Sequence, residues 1–139
     1  MQDVVVGVDG SDTSRRAAET AAGLAEAYGV NLHIVVCAEP KAPVEFRVGS
    51  DRFHTDWRNE ASALLDAIAA GLPYDSITKK VCDGDPAKML CAEANRLDAR
   101  AIVVGNRRVT GVSRLLGSVA GDVIRHASCD VLVAHTRMS

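Results

Sequence analysis

AIVVGNRRVTGVSRLLGSV, Ala101 to Val119, is the stretch on which the reading of this chain turns. Ala101–Val104 is a short, continuous run of apolar, mostly β-branched residues, as in a strand buried on both faces of a parallel sheet. Gly105 closes the run, and Asn106, Arg107 and Arg108 lead into a loop that also carries Gly111 and Arg114. Gly117 and Ser118 then open a helix that runs on through Val119 to Ala127. Strand, glycine loop and helix start, in that order, make a receptor for an anion. Unpaired backbone N–H groups point out of the first helical turn, and the helix dipole favours negative charge there.

The same alternation extends through the whole chain. Asp3–Val8 reads as a strand that ends in Asp9-Gly10-Ser11, and Asp12, Thr13 or Ser14 is placed to cap the next helix, Thr13 to Tyr28. Ala17, Ala18, Ala21, Ala22 and Ala25 give that helix a thin apolar face, and Gly29 ends it. Leu32–Ala38 is a second buried strand. Glu39 to Asp51, with Pro40, Pro43 and Gly49, reads as a long binding or mobile loop. Arg52 to Ala70 is predicted as a second helix, with Trp57, Ala61, Leu64, Leu65 and Ile68 on its buried stripe. Asp75–Cys82 reads as a more exposed strand near the sheet edge. Asp85 as N-cap and Pro86 in the first turn start a third helix, with Leu90, Ala94 and Leu97 facing inward. Val131–His135 is the last strand. Strand–helix alternation implies an α/β fold, a doubly wound parallel sheet of five strands with four helices. Ligands bind such sheets outside the carboxyl ends of the strands, where strand order reverses. Those ends carry Asp9, Cys37-Ala38, Cys82-Asp83 and Gly105.

Bulk properties narrow the function. The chain has 139 residues, a length for one compact domain over 1–139, with 47% hydrophobic and 24% charged residues. A net charge of −2 argues against broad binding to nucleic acid or anionic membrane. The three loop arginines are therefore a local positive feature. Cys37, Cys82, Cys91 and Cys129 lack zinc spacing and read as buried, reduced thiols. His33, His54, His126 and His135 show no metal spacing either. The N-terminus runs straight into a strand, and no apolar run approaches a membrane span, so a cytoplasmic protein is expected. Neither a G-x-S-x-G elbow nor a Walker A loop is present, which leaves little machinery for phosphoryl transfer.

Strand-VVGVDGS at the start, the glycine–proline turn after the third strand and VVGN…RLLGSVAGDVIRHASCDVLVAH at the end resemble the universal stress protein family across nearly the whole chain. The resemblance implies a flavodoxin-like sheet of strand order 3-2-1-4-5 and a homodimer paired through the last strand, Val131–Ala134. For the binding branch it implies ATP held by a G-x2-G-x9-G-[ST] loop, with magnesium only alongside ATP and at most slow hydrolysis. Residue by residue, Asp9, between Val8 and Gly10, would hold ribose hydroxyls. Cys37 and Ala38 would offer main chain to adenine, and Val104 would be an apolar floor. Gly105, Asn106, Arg107, Arg108, Gly117, Ser118 and Val119 would surround phosphate. Two departures stand out: Arg108 occupies the second glycine position, and eight residues, not nine, precede Gly117. Either the arginines clamp phosphate through bidentate guanidinium contacts, or Arg108 closes the site. AMP and cyclic AMP suit an altered loop as well as ATP does. A dimeric interaction protein without nucleotide is the alternative.

Overall fold

The computed structural model of the chain describes residues 2–38, 44–48, 51–55, 57–106 and 118–135. In chain order these form β1 (Val4–Val8), α1 (Asp12–Tyr28), β2 (Leu32–Ala38), β3 (Val44–Val48), β4 (Asp51–Thr55) and α2 (Trp57–Ala70). There follow β5 (Ile77–Asp83), α3 (Pro86–Leu97), β6 (Ala101–Gly105), α4 (Ser118–His126) and β7 (Asp130–Ala134). Five strands form one parallel sheet in the order β5-β2-β1-β6-β7. Counting only those five, the order is the expected 3-2-1-4-5, with four helices.

β1 shows why an unbroken apolar run suits the centre of such a sheet. Successive side chains of a strand point to opposite faces. Val4, Val6 and Val8 join the core beneath α1 and α2, whereas Val5 joins the core beneath α3 and α4. All four are buried. On the first face Ala17, Ala18, Ala21, Ala22 and Ala25 are fully or almost fully buried, so α1 lies close against the strands. On the second face Gly7 does the equivalent: a Cβ there would stand 2.7 Å from Leu90 Cδ1 of α3.

Two expectations need correction. The predicted helix over Arg52–Ala70 begins only at Trp57, and the preceding segment is β4, antiparallel to β3 with Phe46 opposite Phe53. The long loop between the second strand and that helix is thus partly a two-stranded hairpin. Its first half, VEFRV, alternates apolar and polar with period two, and a Gly-Ser pair follows before DRFHT, a hairpin signal. His54 lies in β4 opposite Glu45. Pro40, Pro43, Gly49 and Ser50 lie outside the described residues. The second correction concerns the cap of α1, which is Ser11 and not Asp12, Thr13 or Ser14.

At the amino edge of the sheet, Asp3 ties two crossovers together. Its Oδ1 accepts the Asn31 N–H at 3.1 Å and its Oδ2 lies 2.7 Å from His33 Nε2. The other ring nitrogen of His33 is hydrogen-bonded to Thr78 Oγ1. Partial burial raises the Asp3 carboxyl, but the His33 and Asn31 hydrogen bonds and the His33 charge outweigh it and hold the group below its ordinary range. A depressed carboxyl stabilises the fold above its unfolded pKa, and that contribution is lost as pH falls through the folded value. Asp3→Ala is therefore expected to cost about 1 kcal/mol near neutrality. Urea midpoints of the two proteins should converge below about pH 4. A gap that persists unchanged into acid would refute this account.

Candidate functional site

A cleft of about 150 Å³ opens at the carboxyl edge of the sheet. Its walls come from the ends of β1 (Gly7, Val8, Asp9) and β6 (Val104, Gly105), the two strands between which the winding direction reverses. Val35 and Cys37 of β2 add a third strand end. The first turns of three helices complete it: Ser11, Thr13 and Ser14 at α1, Pro86 at α3, and Ser118, Val119 and Ala120 at α4. The amino end of every helix leaves N–H groups without an intrahelical acceptor and carries a partial positive charge. Three such ends facing one cleft favour an anion there.

Asp9 is held in place by the turn that follows it. Gly10 takes φ +89°, a left-handed conformation that costs a side-chain-bearing residue energy, and so swings Ser11 back over Asp9. Asp9 Oδ1 then accepts from the Ser11 N–H at 2.9 Å and the Ser11 hydroxyl at 2.6 Å. Ser11 Oγ also accepts from the Ser14 N–H at 3.2 Å, the capping bond of α1. The Ser14 hydroxyl donates to Ser11 O at 2.9 Å and accepts the Asp9 N–H at 3.2 Å. Asp9, Ser11 and Ser14 are therefore one unit, a carboxylate locked to a helix start.

Across the cleft, Gly105 is the last residue of β6, in register with Ala134. It continues the strand, so the chain makes no turn at Gly105 itself. Asn106 donates its N–H to Ala134 O at 3.2 Å. Ser118 begins α4 and is exposed, whereas Ala120 is buried and anchors the helix start. On the β2 side, burial pushes the Cys37 thiol up to about 12, helped by the neighbouring Cys82 thiol and by Glu93 and Asp85. Glu93 itself is buried; its carboxyl is lowered by Arg96 first and then Lys80, whose Nζ lies 2.8 Å away, against an opposing effect of burial.

The cleft brings together Val8, Asp9, Cys37, Val104, Gly105, Ser118 and Val119 of the expected set. Gly10 shapes the turn without lining the cleft, and Asn106 follows it by one residue. Ala38 ends β2, opposite Asp83. Arg107, Arg108 and Gly117, with Gly111 and Arg114, lie outside the described residues. Sequence reasoning missed Gly7, Val35 and Leu90, and it read the hydroxyls of α1 only as caps. The strand–turn–helix order at Asp85-Pro86 was the available signal for α3, since every helix that follows a strand starts at this edge. Among the described residues no group of three or more His, Cys, Asp or Glu side chains can hold a metal, and no helix is long and apolar enough to cross a membrane.

Fold and cleft together define a doubly wound α/β protein with an anion-receptive site at its topological switch point. Residues 1–135 match the model of the universal stress protein family. A putative universal stress protein of Staphylococcus aureus (strain USA300) is 26% identical over 140 residues, covering 97% of this chain and 84% of that protein. A crystal structure of a universal stress protein in complex with cAMP is 31% identical with a TM-score of 0.75, over 98% of both chains. The structure of the universal stress protein from Archaeoglobus fulgidus in complex with dAMP is 26% identical with a TM-score of 0.64, over 96% of this chain and 97% of that one. The chain belongs to the universal stress protein family.

Proposed function

We propose that the cleft binds an adenine nucleotide and that residues 1–139 work as one nucleotide-responsive domain in stress or signalling regulation. The observation that carries this reading is the facing of Asp9 and the amino end of α4 across the β1–β6 switch point. An acceptor for vicinal hydroxyls then stands opposite a receptor for phosphate, at the two ends a nucleotide presents. The donor set fits the group: a fixed carboxylate, hydroxyls of Ser11, Thr13 and Ser118, and an apolar floor of Val8, Val35 and Val104. The relatives whose structures hold cAMP and dAMP support the same class of ligand. In this reading Arg107, Arg108, Gly117, Ser118 and Val119 attend to phosphate, and Cys37 and Ala38 to the base. ATP is one candidate, with magnesium accompanying only the triphosphate; AMP and cyclic AMP are the others. Isothermal titration with ATP, ADP, AMP and cyclic AMP is expected to give a saturable heat with at least one of them. Flat traces for all four into the high micromolar range would overturn the proposal.

The dimer is a separate part of the proposal. β7 is an edge strand of the sheet, with Leu132 39% exposed, and on α4 Ile124 is 46% exposed. An unpaired strand edge beside apolar side chains suits pairing with a second copy through Val131–Ala134. Light scattering after size exclusion should report a dimer, and Leu132→Glu should shift it to monomer. A wild-type monomer at all concentrations would remove the pairing.

A further inference from the structure

We propose that Cys37 and Cys82 close into a reversible disulfide at the wall of the cleft, a modification site for small oxidised thiols of the glutathione-disulfide class. The two residues are register partners in the parallel β2–β5 pair, so their side chains leave the sheet on the same face, side by side. Adjacent strands lie about 4.7–4.9 Å apart. That spacing falls within the Cα separation of about 4.4–6.8 Å that a disulfide spans. Both thiols are free, and both belong to the core beneath α3. Cys37 lines the cleft while Cys82 is buried at 4% exposure under α3, so reagent meets Cys37 first.

The surroundings select this chemistry over metal capture. Burial, then the neighbouring Cys82 and the Glu93 and Asp85 carboxylates, raise the Cys37 thiol and keep it neutral. A two-thiolate complex of a monovalent soft cation would leave a net negative charge in that environment. A disulfide leaves none. In the first step Cys37 loses its proton to water and its sulfur attacks one sulfur of the small disulfide. The S–S bond of the reagent breaks, and the departing thiolate is reprotonated. Cys82 then loses its proton, attacks the Cys37 sulfur of the mixed disulfide and expels the second small thiolate. Two cysteine thiols are oxidised and one small disulfide is reduced to two thiols. Because only thiolate attacks, closure is slow near neutrality and quickens with pH. Cys91, on α3, and Cys129, before β7, form the rival pair: burial first, and then the nearby Cys91, raise the Cys129 thiol.

The experiment treats the full chain with oxidised glutathione at mildly alkaline pH and maps peptides by mass spectrometry under non-reducing conditions. The expected product joins the Cys37 and Cys82 peptides, is lighter by two hydrogens, and is reopened by dithiothreitol. A Cys91→Ala, Cys129→Ala double variant should still form it, and Cys82→Ala should stop at a glutathione adduct on Cys37. No cross-link, or one confined to Cys91 and Cys129, overturns the proposal whatever nucleotide titration shows. One further expectation rests on the nucleotide reading: ligand at ten times its Kd should slow closure about tenfold by covering Cys37. A cross-link that forms at the same rate with nucleotide bound overturns that covering. A cross-link together with flat titrations overturns the nucleotide reading alone.

Discussion

Asp9→Ala is expected to weaken adenine-nucleotide binding about a hundredfold, the equivalent of about 2.7 kcal/mol. In the proposed complex the Asp9 carboxylate accepts from the ribose hydroxyls, and hydrogen bonds to a charged group contribute about 1.5–3 kcal/mol each. Its orientation is fixed before ligand arrives, because the Ser11 N–H and hydroxyl hold Oδ1. The ligand therefore bears little of the ordering cost. Removing the carboxylate also releases Ser11, the N-cap of α1, and caps are worth about 1 kcal/mol. Thermal unfolding should accordingly register a small loss alongside the large loss of affinity. Asp9→Asn separates the two effects. It keeps the size and one oxygen acceptor, so its loss of affinity should be nearer tenfold. Titration calorimetry on all three proteins decides the matter, and equal affinity across them would remove Asp9 from the site.

Leu90→Ala should give the largest loss of stability, about 3 kcal/mol, within the range of about 2–5 for truncating a buried leucine. Leu90 is 2% exposed, touches the strand face at Gly7 and forms part of the cleft wall. The informative measurement is its coupling to Gly7. Alone, Gly7→Ala drives a Cβ to within 2.7 Å of Leu90 Cδ1 and should cost about 1–3 kcal/mol by overpacking. In the Leu90→Ala background the same Cβ enters vacated space, so the combined loss should fall short of the sum by at least about 1 kcal/mol. Denaturant midpoints of the four proteins close the cycle. Strict additivity would mean that Gly7 is not the contact that sets how closely α3 approaches the sheet.

Where sequence and structure agree, the signal was one of period and order. The valines of β1 and the Ala101–Val104 run could be placed because burial on both faces leaves no polar alternation, and helix–strand alternation then fixed the sheet type. Asp9 and Ser118 were legible as residues of the carboxyl edge, where the cleft opens, because position at a strand or helix end depends on chain order alone. Where the reading failed, two periodicities competed in one stretch. Residues 44–48 alternate with period two, but the polar run of 51–55 carries only Phe53 and abuts a true helical stripe beginning at Trp57, so the helix expected from Arg52 takes in the second hairpin strand. Gly7, Val35 and Leu90 were illegible for a different reason. Each belongs to the cleft only because α3 packs across the face of β1 and β2, a contact between residues distant in sequence that no local pattern announces. The roles of Ser11 and Ser14 needed side-chain direction, which spacing does not supply.

The alanine face of α1 carries a consequence for how this chain can vary. Ala17, Ala18, Ala21, Ala22 and Ala25 have no room for a longer side chain, and the same helix begins at the serines that hold Asp9. Enlarging Ala21 lifts the helix from the sheet and, through that rigid lever, displaces Ser14 and Ser11 at its far end. Substitutions in the middle of α1 should thus register as lost ligand affinity, though none of them touches the cleft. α2 packs on the same core through the larger Leu65 and Ile68, where exchanging one large apolar side chain for another usually costs less than about 1.5 kcal/mol. Variation along α1 is therefore limited by the thickness of a methyl group, at positions that line no part of the cleft.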